Sequence, residues 1–193
     1  MDADVAIRAE TEADHPQIGE VHLAAFGGDQ VPKLVDALRA APAPVARLSY
    51  VAVKDNRVIG HVMLSAGRLD APRRLVNVLV LSPLGVLPQF QRRGIGTALV
   101  GHAVQAAEGW REPMVFLEGS PNYYGARGFE RASAAGFRSP SLRIPDASFQ
   151  VVRLSAYEPW MTGTLVYSDP FWALDCVGLR EAPPTADGPA IGA

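Results

Sequence analysis

Residues 75–107, LVNVLVLSPLGVLPQFQRRGIGTALVGHAVQAA, constrain the fold of this chain more than any other stretch. Residues 75–81 are almost wholly aliphatic, and Arg73-Arg74 and Ser82-Pro83 bound them. So short an apolar run between polar markers reads as a strand covered on both faces. Pro83 has no N–H to give a neighbouring strand and Gly85 permits a bulge, so the ladder is expected to break there. Leu84 and Val86 would then turn backbone groups toward something other than a paired strand. Gln91-Arg92-Arg93-Gly94-Ile95-Gly96 follows, and then a helix with Ile95, Ala98, Leu99, His102 and Ala106 on one face.

A basic glycine loop that opens a helix is suited to anions. The helix start leaves four N–H groups unpaired and carries about half a positive charge. Gly94 and Gly96 remove side chains that would hold a phosphate away, and Arg92 and Arg93 add fixed positive charge. Two other phosphate loops do not fit. The dinucleotide fingerprint needs a third glycine where Leu99 stands, and a Walker loop needs Gly-Lys, whereas neither Lys33 nor Lys54 follows a glycine.

Composition narrows the class. A chain of 193 residues fits one domain, or one domain with an appendage. A net charge of −2 gives no field to recruit nucleic acid or an acidic membrane, and Arg73-Arg74 and Arg92-Arg93 have no interleaved aromatic stripe. Cys176 is the sole cysteine, which excludes a disulfide framework and fits a reducing compartment. It reads as a small hydrophobe without catalytic partners. His15, His22, His61 and His102 lack ligand spacing, so no metal is expected, and His22 and His102 read as core histidines. Met1-Asp2-Ala3-Asp4 opens no signal peptide, and no apolar run reaches the length of a membrane span; the expected address is the cytoplasm.

Elsewhere the pattern alternates helix and strand. A strand over 5–9 leads to a helix through Ile18, Val21, His22 and Ala25, and Phe26-Gly27-Gly28-Asp29 separates it from a second with Val31, Leu34, Val35 and Leu38. Residues 40–44 read as a linker. Residues 48–54 and 57–64 flank Asp55-Asn56 as a hairpin, and 68–74 read as the next turn. After the long helix come a strand over 113–117 and a short helix with Ser120 as cap and Pro121 first. Strands are expected at 129–132, 149–154 and 165–167, an irregular stretch at 139–146, and turns at Pro159-Trp160 and Pro170-Phe171-Trp172. The whole predicts an α/β fold, a mixed sheet whose parallel strands flank the long helix.

The Gln91-x-x-Gly94-x-Gly96 loop, after an aliphatic strand ending in Leu84-Gly85-Val86, resembles the acyl-CoA loop of the GNAT N-acetyltransferase superfamily. Tyr124-Gly125-Ala126-Arg127-Gly128-Phe129 is similar to a second element of that superfamily, and the order of elements matches from residue 5 to about 157. The likeness is strongest to a bacterial group of predicted acetyltransferases with a Pro-x-Tyr-Tyr-Gly segment and an extended C-terminus. The resemblance implies the GNAT fold, a mostly antiparallel mixed sheet with a splayed parallel pair. It divides the chain into a catalytic domain over 1–157, an extension over 158–182 packed on it, and a tail over 183–193. It also implies acetyl-CoA as cosubstrate and an amine as acceptor, without a metal. Leu84, Gly85, Val86, Gln91, Arg92, Arg93, Gly94, Ile95, Gly96 and Thr97 would hold the cosubstrate, with Val86 N–H polarising the thioester carbonyl. Tyr124 would protonate the departing thiolate. A phenol near ~10 is protonated at neutral pH, and a thiolate of a thiol near ~8.5 to 10 can take its proton. Tyr123, one residue away, is the alternative if the helix register differs.

The base is open between Glu118, at the end of its strand, and a water relay. Asn122 matches no superfamily residue, and the asparagine usual earlier in this segment is displaced. Three functions remain: an acetyltransferase for a small-molecule or protein amine, a catalytically silent acyl-CoA-binding regulator, and an enzyme acting on aminoacyl-tRNA. The low charge argues against the last. The resemblance also allows a homodimer.

Overall fold

The computed structural model of the chain describes residues 4–41 and 48–180. Strand β1 (Ala6–Ala9) leads through a turn of 3-10 helix at Glu12–Asp14 into α1 (His15–Phe26) and α2 (Gln30–Ala40). Thr11 starts that turn, its N–H and Oγ1 bonding Asp14 Oδ2 at 2.7 and 2.8 Å. β2 (Leu48–Lys54) and β3 (Arg57–Asp70) form the expected hairpin, with Asp55 and Asn56 both left-handed at φ 49° and 60°, the geometry a two-residue hairpin turn needs. β4 (Leu75–Val86), α3 (Ile95–Ala107), β5 (Met114–Glu118) and α4 (Pro121–Gly125) follow. The chain closes with β6 (Glu130–Arg131), β7 (Phe137–Arg138), β8 (Phe149–Arg153), β9 (Gly163–Tyr167) and α5 (Asp169–Ala173). The expected linker over 40–44 and the tail over 183–193 fall largely or wholly outside the described residues.

Among the described residues the strands make one mixed sheet in the order β1-β2-β3-β4-β5-β8-β6, with β9 on β3 and β7 on β9. Only β4–β5 and β7–β9 are parallel. The turn expected at 68–74 begins later, because β4 on one side and β9 on the other pair Gly67 to Asp70 and keep β3 extended. The turn expected at Pro170-Phe171-Trp172 is instead helix α5, whose Phe171 is buried against Tyr167. β4 likewise does not stop at Leu81. Leu64 pairs Leu81 but Val62 pairs Leu84, so Met63 alone faces Ser82 and Pro83, and the strand resumes beyond this bulge.

Pleating distributes the helices. His61 and Gly85 are partners and face α1, where a Cβ on Gly85 would lie 2.7 Å from His22 Nδ1. Gly60 and Val86, the next pair, face the other way, and Gly60 backs onto Ile95 and Leu99 of α3. Ile18 and Val21 on one side and Leu99, Val100 and Ala103 on the other are fully buried. Each large aliphatic side chain so placed contributes about 1.5–3 kcal/mol of transfer free energy.

The two histidines beneath Gly85 form a polar chain. His22 Nε2 lies 2.7 Å from His61 Nδ1, and His61 Nε2 lies 2.8 Å from Ser49 Oγ and 3.2 Å from Glu10 Oε2. Among the described residues buried His22 Nδ1 has no hydrogen-bond partner, which favours the tautomer with the ring proton on Nε2, donating to His61. His61 then donates from Nε2 toward Glu10, which Arg39 grips with two bonds of 3.0 Å. Burial first, then the neighbouring His61 and Arg39, pulls His22 down to about 3. Folding therefore opposes protonation of His22. Its contribution is complete above ~6.5, the unfolded value, and is lost as pH falls toward about 3. We expect about 2 kcal/mol lost by pH 5 from His22 alone. Urea midpoints at pH 7.5 and 5 check this, with His22→Gln flattening the difference; a wild-type midpoint unchanged between the two would contradict it. His102, by contrast, is not a core residue: it is half-buried, edge-on to Tyr50 at 4.5 Å.

Candidate active site

β4 and β5 pair only at Leu79–Val115 and Val80–Phe116, and then part. β4 runs on to Val86 and β5 to Glu118, leaving an opening at the carboxyl ends of the parallel pair. Leu87 N–H bonds Ile59 O on the β3 side at 2.9 Å. Strand alternation therefore turns the N–H and C=O groups of Leu84 and Val86 toward the opening. This is the arrangement expected for them, although it arises with β4 still paired to β3. Gln91 Nε2 donates to Val86 O at 3.0 Å, so this side chain braces the strand end.

The glycine loop follows directly. Arg92 and Gly94 are left-handed, at φ 59° and 82°, and Gly94 caps α3. The first helical bond runs from Ala98 N–H to Gly94 O, leaving the N–H groups of Ile95, Gly96 and Thr97 at the open helix end. The Ile95 side chain is buried in the core, so only its backbone can face a ligand. Arg92 and Arg93 are exposed, Arg93 lying over the Phe90 ring. Arg127, which sequence reasoning did not single out, donates to Thr97 Oγ1 and Tyr123 O and stacks 3.5 Å from the Tyr123 ring centre. Its position inside the Tyr-Gly-Ala-Arg-Gly-Phe segment was the available signal.

The two adjacent tyrosines separate. Tyr123 points to the loop, where a Cβ on Gly96 would meet its hydroxyl at 2.5 Å. Tyr124 packs on Phe129 and Gly119 and lines a cavity of about 420 Å³. Burial above all, with Tyr123 beside it, pushes the Tyr124 phenol up to about 12. The helix register thus gives the cavity to Tyr124 and the loop to Tyr123. Ser120 fixes that register by capping α4, its Oγ accepting from Tyr123 N–H at 3.4 Å.

Glu118 lines the same cavity. Tyr167 Oη donates to its Oε1 at 2.8 Å and Gly178 N–H to its Oε2 at 3.1 Å. Burial raises its carboxyl above the ordinary range despite these bonds. Cys176 also lines the cavity, half-buried, so it is not the core filler that the sequence predicts. Among the described residues no group of three or more histidine, cysteine, aspartate or glutamate side chains could hold a metal. No helix among them is long and apolar enough to cross a membrane.

A family model described as the Acetyltransferase (GNAT) family matches residues 16–133, which span the bulged strand, the glycine loop and Tyr124. The chain belongs to the GNAT family. Its match among curated proteins is an uncharacterized N-acetyltransferase, YjhQ of Escherichia coli strain K12, at 28% identity over 82% of this chain and 90% of that one. The GNAT protein YhbS of Escherichia coli, solved in complex with CoA, superposes with a TM-score of 0.78 at 27% identity, covering 87% of this chain and 92% of its own. A GNAT acetyltransferase from Brucella melitensis, solved with acetyl-CoA, gives 0.69 at 29% identity over 86% and 97%. The GNAT fold and an acetyltransferase activity are thereby established for the class.

Proposed function

We propose that this GNAT protein transfers the acetyl group of acetyl-CoA directly to a primary amine held in the cavity beside Tyr124. The observation that carries the reading is that Tyr124 and Glu118 line one cavity at the point where β4 and β5 part. Acetyl-CoA fits the other side: unpaired N–H groups at α3, left-handed Gly94, and Arg92 and Arg93 would hold its phosphates. The free edge at Leu84 and Val86 would pair its pantetheine arm, with Val86 N–H on the thioester carbonyl.

In this reading Glu118 takes one proton from the incoming ammonium and releases it to solvent. The neutral nitrogen forms its C–N bond as the C–S bond breaks. Tyr124 gives its proton to the departing thiolate and recovers one from the acetylated nitrogen, which has one to lose. The sum is one ammonium and one thioester giving one amide, one thiol and one released proton.

Two pH consequences follow. Glu118 must be ionised to act, so kcat/KM should climb as pH rises through its elevated pKa. Tyr124, near 12, should stay protonated and impose no alkaline limb in the working range. Glu118→Gln should lower kcat/KM by about 10²-fold and remove the acidic limb. Thiol release measured from pH 5 to 9 checks both; an unchanged limb in Glu118→Gln would assign the proton to a water relay.

A further inference from the structure

The walls of the cavity specify what kind of amine can enter it. Two segments distant in sequence face each other across it. The end of α1 supplies Phe26 and the start of α2 Val31 and Leu34, and the C-terminal segment supplies Phe171, Cys176 and Leu179. Gln30 ties them together, its Nε2 donating to Leu174 O at 2.7 Å and Asp175 O at 3.3 Å. Phe26 and Leu179 remain 52% and 75% exposed, so apolar side chains from both segments stand open to solvent on this cavity. An apolar collar around a hollow of about 420 Å³, at the lower end of the range for small-molecule sites, suits a compact apolar body.

The charges are one-sided. Among the described residues no lysine, arginine or histidine lines the cavity, while Glu118 and Asp175 both do. Asp175 is balanced by Arg180 and by Arg143, the latter at 3.4 Å. Among the described residues Glu118 makes no salt bridge, and the one cation that acts on it, Arg143, is itself paired with Asp175. Its two hydrogen bonds come from the neutral Tyr167 hydroxyl and Gly178 N–H, leaving lone pairs free. A half-buried carboxylate so placed is complemented by an ammonium. A carboxylate brought beside it would be desolvated against a like charge, with Arg143 already engaged by Asp175.

We propose that the acceptor is a primary amine on a compact apolar or aromatic body with no carboxylate near the nitrogen, its ammonium docking on Glu118 and its body between Phe26 and Leu179. The assignment rests on the acyl-transfer reading above and names its substrate class. The C-terminal segment is then a specificity wall, since it supplies the collar residue Leu179 and, through Tyr167 and Gly178, the bonds that orient Glu118.

The test uses the full chain at fixed acetyl-CoA, reading thiol release and the acetylated product. Phenethylamine and phenylalanine share a skeleton and differ in the carboxylate; spermidine has ammonium groups and no apolar body; a short peptide amide with N-terminal phenylalanine stands for a protein acceptor. We expect kcat/KM for phenethylamine to exceed that for phenylalanine by on the order of 10²-fold or more. We also expect Phe26→Ser and Leu179→Ser to raise its KM several-fold, with acetyl-CoA affinity by calorimetry unaltered. Equal rates for phenylalanine, or a preference for spermidine or the peptide, would overturn the acceptor class and leave the transferase reading standing. Binding of acetyl-CoA with no turnover of any amine would overturn the transferase reading, and the acceptor class with it.

Discussion

Replacing Gly94 with aspartate should weaken acetyl-CoA binding by 10²-fold or more, about 2.7 kcal/mol, while the fold survives. Gly94 sits at φ 82° and caps α3 where its first N–H groups are open. Aspartate tolerates the left-handed region better than most residues, and position 94 is exposed, so strain and packing loss should be small. What changes is the electrostatics. A carboxylate would occupy the helix end and compete for the same N–H groups and the same arginines that we assign to the pyrophosphate. Gly94→Ala separates the two effects, because it keeps the strain and omits the charge; it should lose far less affinity. Arg92→Ala and Arg93→Ala should each cost less again, since both side chains are solvent-exposed. Calorimetric titration of acetyl-CoA, with thermal melts as a folding control, reads all four. Unchanged affinity in a folded Gly94→Asp would remove the phosphates from this loop.

The second large effect is expected at Tyr124. Its hydroxyl has no hydrogen-bond partner among the described residues, so Tyr124→Phe should orphan no buried group. The ring contacts with Phe129 and Gly119 stay, and stability should change by no more than about 0.5 kcal/mol. If Tyr124 supplies the thiolate's proton, the rate of the chemical step should fall by roughly 10²–10⁴ at unaltered acetyl-CoA affinity. Tyr123→Phe is the internal comparison. That hydroxyl reaches the glycine loop and not the cavity, so its loss should move affinity and not the chemical step.

What the sequence could reveal was local. An aliphatic run, two glycines at fixed spacing and a serine-proline helix start lie within a few residues of one another, and each has a short-range physical cause. The bulged strand and the open end of α3 were legible for that reason, whereas the preference for Tyr124 over Tyr123 came from the family resemblance. Contacts across long separations were not. His22 and His61 are 39 residues apart; His22 read as a lone core histidine and His61 only as a histidine without ligand spacing, yet they bond directly. Glu118 and Tyr167 are 49 apart, and nothing near either one signals the other. The final residues of β3 pair both with β4 and with β9, a strand nearly a hundred residues further on, and the second pairing has no local signal. Helix α5 was closer to readable, because Ser168-Asp169-Pro170 is a helix start; the dense aromatics and proline suggested a turn instead. Cys176 was misplaced because one cysteine carries no pattern, and only the folded C-terminal segment brings it to the cavity.

We propose above all that this chain moves an acetyl group with Tyr124 as the proton donor. Single-turnover release of free thiol from acetyl-CoA, with saturating phenethylamine and both enzymes at matched cosubstrate occupancy, tests it most directly, because slow product release cannot mask the chemical step. The wild type should give one equivalent of thiol and of acetylated amine, and Tyr124→Phe a rate lower by roughly 10²–10⁴. A Tyr124→Phe enzyme within about threefold of the wild type would contradict it, since general acid catalysis is larger than that.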